Sequence, residues 1–200
     1  MDNQTVDVYD KEAESIAKLH STLIPERIYE LISNYFIPNA TTADIGCGTG
    51  RDTAWLDQKG GSIIGIDASK GMLKQAQKNH PALHFIQDAL PELKKLNQQS
   101  FNNILCSAVL MHLTRTDVLQ ACHRLVSLLQ PNGFLILSFR NTHEENQREN
   151  GKLYEEIDSH DLITLFSSLH CSIELHESKV EVSRNLTWHN LVIKKLPHLA

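Results

Sequence analysis

The stretch from Ala43 to Gly50, Ala-Asp-Ile-Gly-Cys-Gly-Thr-Gly, constrains this chain more than any other. A short polar turn precedes it, and a helix-like run from Arg51 to Lys59 follows it directly. A strand, a glycine-rich turn and a helix in that order form a cradle for a small molecule. Glycine lets the backbone bend sharply and approach a ligand closely. The helix start offers unpaired N–H groups and partial positive charge to an anion. The spacing of the glycines selects among ligands. A dinucleotide fingerprint needs G-x-G-x-x-G. Gly46 and Gly48 fit it, but Arg51 holds the third position and the last glycine comes one residue early, at Gly50.

The rest of the chain supplies the context a cradle needs. Two hundred residues suit one domain with a full hydrophobic core. A formal charge of −5 gives no global basic field for nucleic acid. No apolar run is long enough to span a membrane. The start, Met-Asp-Asn-Gln-Thr-Val-Asp, is acidic and polar, unlike a secretory signal. Cys47, Cys106, Cys122 and Cys171 form no Cys-x-x-Cys pair, so neither a disulfide framework nor a structural zinc site is expected, and a cytoplasmic setting fits. The eleven histidines include no metal-ligand spacing, so no metal is expected.

Read in order, the chain alternates. Residues 1–14 carry Asp2, Asp7, Asp10, Glu12 and Glu14 against Lys11, a local charge of −4. Ser15–Tyr35 shows helical periodicity broken at Pro25, which predicts two helices in an N-terminal cap over 1–40. The cradle's strand is Thr41–Ile45. Ser62–Asp67 is apolar without alternation, as expected of a parallel strand buried on both faces. Ser69 is placed to cap a helix over Lys70–Asn79. Strands are predicted at Pro81–Ile86, Phe101–Ser107 and Phe134–Phe139, with a short helix or loop over Pro91–Gln99 and an amphipathic helix over Thr114–Leu129. Residues 141–158 read as an irregular lid or binding loop, with net −4 from Glu144 to Asp158. A helix, Asp161–Leu169, and two strands, Cys171–Glu177 and Leu186–Lys194, close the chain. The order predicts a single α/β domain built on a doubly wound sheet, with its core over 41–140.

In such sheets ligands sit beyond the carboxyl ends of the strands, near the switch point. Asp44, Asp67, Asp88, Ser107 and Arg140 all fall at or just past predicted strand ends. Asp67 follows Gly46 by 21 residues and can accept hydrogen bonds from ribose hydroxyls; otherwise it is a helix-start acid. Met72 can pack on a base or in the core. Asp88 can meet an adenine amino group or cap a turn. His112 is a general-base candidate, although its apolar surroundings favour a packing role. Arg140 can clamp a carboxylate or phosphate, or pair with Glu144 or Glu145. Tyr9, Tyr154, Arg184 and Trp188 can line the substrate side or serve structure.

Asp44–Gly50, Asp67, Asp88-Ala-Leu, Phe101–Leu113, Leu129–Arg140 and the closing Trp188-His-Asn-Leu-Val-Ile-Lys together resemble the class I S-adenosylmethionine-dependent methyltransferases. The resemblance runs from about residue 41 to 195 and is nearest to small bacterial members without assigned substrates. It implies a Rossmann-like seven-stranded sheet, mostly parallel with an antiparallel last strand and helices on both faces. It implies S-adenosylmethionine as cofactor, with S-adenosylhomocysteine as product. It places the methionyl part on Asp44 and the glycine loop (Gly46, Cys47, Gly48 and Gly50), ribose on Asp67 and adenine on Asp88; Ala68, Met72, Ala89 and Ser107 complete the cofactor-binding candidates. Tyr9, Arg140, Tyr154, Arg184 and Trp188 are the substrate-side candidates, with His112 and Tyr154 the candidates for a base.

Departures narrow the acceptor. Strand four ends in Cys106-Ser107-Ala108-Val109, without the Asn/Asp-Pro-Pro-Tyr of enzymes that methylate exocyclic amino groups of bases, and without the Pro-Cys of cytosine C5 enzymes. Cys106 is therefore expected in the core. The two acidic segments flank the expected mouth, which disfavours polyanions and suits a small neutral or cationic acceptor. The expected activity is methyl transfer by direct displacement, from a monomer or homodimer. The rivals are a non-catalytic cofactor-binding or partner-subunit module and a nicotinamide-dependent oxidoreductase.

Overall fold

The computed structural model describes residues 1–142 and 147–197. Seven strands form one sheet: β1 Thr41–Ile45, β2 Ser62–Asp67, β3 His84–Gln87, β4 Phe101–Ser107, β5 Leu129–Arg140, β8 Cys171–Glu181 and β9 Leu186–Lys195. A separate two-stranded hairpin pairs β6 Gln147–Glu149 with β7 Lys152–Tyr154. The order across the large sheet is β3-β2-β1-β4-β5-β9-β8. Strands β1 to β5 pair in parallel, and β9 runs antiparallel to both of its neighbours. The expected architecture, with its antiparallel last strand, is present.

Helices cover both faces. They are α1 Asn3–Lys11, α2 Ala13–His20, α3 Glu26–Tyr35, α4 Arg51–Asp57, α5 Lys70–Asn79, α6 Arg115–Leu128 and α7 Ser159–Ser168. One core layer contains Ala43, Ile66, Ile104, Leu125, Leu137, Phe139 and Phe166. The opposite layer packs Ile28, Leu31, Ile32 and Leu56 on Leu105, Ile136 and Val192. Alternate residues of β4 and β5 thus feed opposite layers, as period-two side-chain geometry requires. All four cysteines are buried and free. No helix among the described residues is long and apolar enough to cross a membrane.

Several boundaries differ from expectation. Residues 3–11 form a helix the hydrophobic pattern does not announce. Asp2 caps it by accepting from the Thr5 N–H at 2.8 Å, and tertiary contacts hold the rest. Strand β5 starts at Leu129, five residues early, because Leu129 pairs with Phe101 before a bulge. Residues 91–99 take the loop of the two forms expected there. The stretch read as an irregular loop contains the β6–β7 hairpin in its described part; Glu144 and Glu145 lie outside the described residues.

Candidate functional site

The sheet reverses its winding between β1 and β4, and a crevice opens there. The glycine loop lines one side. Its N–H groups at Gly46 and Cys47 donate to the Ile66 carbonyl at 2.7 and 3.0 Å, which folds the loop back over β2. Gly46, Gly48 and Gly50 take φ of 75°, 55° and 77°, in the left-handed region that favours glycine. The three glycines do different work. A Cβ on Gly46 would meet Val109 Cγ2 at 2.2 Å, and one on Gly50 would meet Phe85 Cζ at 2.8 Å. A Cβ on Gly48 would meet only Met72 Cε, at 3.3 Å.

Asp67 joins the loop to the next helix. One carboxylate oxygen accepts from the Gly48 N–H and the other from the Ser69 N–H, each at 2.8 Å. Burial raises its pKa, and these backbone donors oppose the rise. Each oxygen keeps a lone pair for a ligand hydroxyl. Ser69 Oγ caps α5 by accepting from Met72 N–H at 3.0 Å, as its position predicts. Met72 is buried beneath the loop. Asp88 accepts from the N–H groups of Ala89 and Lys95 at 2.9 and 2.7 Å, so the turn-capping role is realised while the residue also borders the cavity.

The cavity measures about 1260 Å³. It is bordered by Gly46, Cys47, Gly48, Asp67, Ala68, Met72, Asp88, Ala89 and Ser107, and by the substrate-side candidates Tyr9, Arg140, Tyr154, Arg184 and Trp188, with His112. Asp44 and Gly50 stand behind the loop instead. Asp44 is 3% exposed and accepts from Thr53 Oγ1 at 2.6 Å. Burial, with the Asp52 charge, pushes its pKa up to about 7. Gly50 caps α4 and packs against Phe85 and His80.

Helix α1 and the hairpin roof the cavity opposite the loop. Asp10 Oδ1 accepts from Ser69 Oγ at 2.5 Å and from Gly71 N–H at 2.8 Å, fastening α1 to α5. Leu153 N–H donates to Thr5 Oγ1 at 2.8 Å, and Arg148 Nη2 pairs with Asp2 at 2.8 Å, fastening it to the hairpin. This guanidinium holds the Asp2 carboxyl well below the usual range. His112 sits between the two pieces. Its Nδ1 lies 2.7 Å from the Leu153 carbonyl, which can only accept, so Nδ1 carries the proton. Its Nε2 then accepts from the Tyr9 hydroxyl at 3.2 Å. Burial pushes the His112 pKa down to about 4 and raises that of Tyr9. The Tyr154 ring stands edge-on to His112 at 4.8 Å.

The sequence did not single out Glu149, Lys152 or the Leu153 carbonyl. Arg140 is 2% exposed, pairs with Glu149 Oε2 at 2.7 Å and stacks 3.7 Å from the centre of the Tyr154 ring. Lys152 Nζ lies 4.6 Å from the centre of the Tyr9 ring and 3.8 Å from Glu12. Asp2, Glu12 and Glu149 are thus matched by Arg148, Lys152 and Arg140. Arg148 and Lys152 already stand in the local charge counts, so only Arg140 adds a cation and the rim stays acidic; what the fold adds is which acid meets which base. No motif signals these partners, because each pair forms across the fold. Among the described residues, no group of three or more His, Cys, Asp or Glu is arranged to hold a metal.

Comparison with known proteins agrees with this geometry. Residues 43–133 match the family model described as a methyltransferase domain. The trans-aconitate 2-methyltransferase of Deinococcus radiodurans is 34% identical over 125 residues, covering 61% of this chain and 42% of that protein. The chain spans about half the length of the curated relatives it matches, 39% to 53% for three of them. Among solved structures, the 1,6-didemethyltoxoflavin-N1-methyltransferase of Burkholderia thailandensis, crystallised with 1,6-didemethyltoxoflavin and S-adenosylhomocysteine, gives a TM-score of 0.77 at 18% identity, covering 98% of this chain and 88% of that one. A putative methyltransferase of Haloferax volcanii, in complex with the Trm112 methyltransferase activator, gives 0.80 at 14% identity, covering 98% and 99%. The order of the sheet, the Asp-x-Gly-x-Gly-x-Gly loop at its switch point and the match over its core agree: the chain has the fold of the class I S-adenosylmethionine-dependent methyltransferases and matches the methyltransferase-domain family over residues 43–133.

Proposed function

We propose that this chain transfers the methyl group of S-adenosylmethionine to a small-molecule acceptor by direct displacement. The observation that carries the reading is the pairing of the glycine loop with Asp67. Gly48 borders the cavity, and the carboxylate beside it is held by two backbone N–H groups with a lone pair left on each oxygen. In this reading Asp67 receives the ribose hydroxyls, and Ala68, Met72, Asp88 and Ala89 enclose the base. The backbone of Gly46, Cys47 and Gly48, with Ser107, lies along the methionyl part. Asp44 and Gly50 shape the loop from behind.

When bound, the cofactor supplies a methyl group already activated by the sulfonium charge. The residues of the chain then need only orient the acceptor in line with it. Alignment of this kind lowers a barrier by about 7–11 kcal/mol in well-oriented cases. Tyr9, Arg140, Tyr154, Arg184 and Trp188 wall the acceptor side, and α1 with the hairpin shields it from water. His112 positions Tyr9, and it acts as a base only if that hydrogen bond is released. A cavity of about 1260 Å³ exceeds the roughly 300–1000 Å³ of a single-ligand pocket, which leaves space for a small second molecule beside the cofactor.

The test is to incubate the purified chain with S-adenosylmethionine, tritium-labelled in its methyl group, and a panel of small acids, phenols, amines and thiols. Label transferred to a small molecule, with equimolar S-adenosylhomocysteine, is the expected result. Binding of the cofactor without transfer to any class would favour the non-catalytic module instead.

A further inference from the structure

Three features of the acceptor chamber bear on what occupies it. Arg140 ends β5 at the cavity wall and is 2% exposed. One terminal nitrogen is paired with Glu149, while Nη1 is buried without a hydrogen-bond partner. A guanidinium cannot shed its proton, and a buried charged donor left unpaired is costly. The chamber therefore keeps a cationic donor in reserve.

The groups around Arg140 are poor proton acceptors. Both nitrogens of His112 are engaged, by the Leu153 carbonyl and the Tyr9 hydroxyl. Glu149 is spent on Arg140 at 2.7 Å, with Arg184 a further 3.7 Å contact. Tyr9 and Tyr154 complete the wall. No free base stands beside Arg140, so a nucleophile that needs no proton removed before attack suits the site; a carboxylate, ionised at neutral pH, meets that need and also pairs with the guanidinium.

The mouth has a different character. Leu19, Leu23 and Ile24, around the end of α2, and Val180, on β8, all border the cavity and are 58%, 51%, 72% and 58% exposed. Apolar side chains grouped at the rim of a pocket, rather than scattered, mark a surface that an apolar ligand covers.

We propose that the acceptor is a small carboxylic acid with an apolar body. Its carboxylate meets Arg140, and its hydrocarbon part runs out along Leu19, Leu23, Ile24 and Val180. This rests on the methyl-donor reading above. One carboxylate oxygen forms a bond to the methyl carbon as the bond from that carbon to sulfur breaks. The electron pair of the broken bond stays on sulfur, giving a neutral thioether and a methyl ester, and no proton moves.

The experiment uses the full chain. Cofactor binding is first measured calorimetrically, without any acid. Octanoate, octanamide and octan-1-ol are then each supplied with methyl-tritiated S-adenosylmethionine. Base-labile, solvent-extractable label should form from octanoate alone. Arg140→Lys, which keeps the charge but loses the fork, should raise KM for octanoate about tenfold, the loss of one charge-assisted contact. Ile24→Ser, at an exposed position that leaves folding intact, should raise KM for octanoate and leave that for butyrate unchanged. Label on the alcohol or amide, or cofactor binding with no label on octanoate, overturns the acid acceptor alone. Failure to bind the cofactor overturns the donor reading and this proposal with it.

Discussion

Gly46 and Gly48 lie two residues apart in the same loop, yet alanine at each should fail for a different reason. Both have positive φ, so each substitution carries about 1–2 kcal/mol of left-handed strain. At Gly46 the new Cβ falls 2.2 Å from Val109 Cγ2, inside a buried contact. Overpacking of that kind adds about 1–3 kcal/mol. Gly46→Ala should therefore be less stable than Gly48→Ala by that margin, which lowers Tm by a further 2–12 °C or so for a chain of this size. At Gly48 the Cβ has only the end of a flexible methionine at 3.3 Å, and the residue borders the cavity. Gly48→Ala should keep most of its stability and lose S-adenosylmethionine affinity by about tenfold or more, the equivalent of 1.4 kcal/mol. Scanning calorimetry on the free proteins and titration calorimetry with the cofactor read the two quantities separately. Equal losses of Tm in the two variants, or unchanged binding by Gly48→Ala, would refute this division of labour within the loop.

The buried titratable groups give pH predictions of opposite sign. His112 has its pKa pushed down to about 4 from 6.5, so its neutral form stabilises the fold above pH 6.5, and that stability is lost as the pH falls through 4. His112→Gln should flatten the acid limb of a stability–pH curve, whose slope from this group is at most about 1.4 kcal/mol per pH unit. Asp44 runs the other way. Its pKa is raised to about 7, so its contribution is complete below pH 3.8 and is lost as pH rises through 7. Asp44→Asn, which still accepts from Thr53, should therefore be relatively more stable than the parent at pH 8, as read by urea unfolding. Glu149→Gln strips the buried Arg140 of its counter-charge. Because Glu149 is 30% exposed, the loss should be about 2–3 kcal/mol rather than the 3–5 of a fully buried pair, with Arg140→Met/Glu149→Leu recovering much of it.

What the sequence made legible was local. The glycine loop, Asp67, Ser69 at its helix start and the apolar run of β2 each declare themselves within a few residues, because turn geometry, caps and buried parallel strands have short-range signatures. The acceptor side was less readable. Helix α1 is short and mostly polar, and its position depends on Asp10 reaching Ser69, 59 residues away, and on Thr5 meeting Leu153, 148 residues away. The hairpin is two three-residue strands whose polar residues resemble a loop. The local charge count at 144–158 gave the sum but not the pairing, for the same reason. It could not anticipate that Arg148 reaches Asp2 or that Glu149 reaches Arg140. The sequence named Tyr9, His112, Arg140 and Tyr154 as candidates, and all four border one cavity, but it did not tell which would pair with which.

The most direct test of the central claim is calorimetric titration of the purified chain with S-adenosylmethionine and S-adenosylhomocysteine, alongside Asp67→Ala. Removing that carboxylate deletes the acceptors proposed for both ribose hydroxyls and releases the N–H groups of Gly48 and Ser69. The expected result is micromolar binding of both compounds by the parent, weakened by about a hundredfold or more in the variant, as the loss of two hydrogen bonds to a charged group implies. Parent-like affinity in Asp67→Ala, or no binding by the parent, would contradict the assignment of this loop and carboxylate to the cofactor.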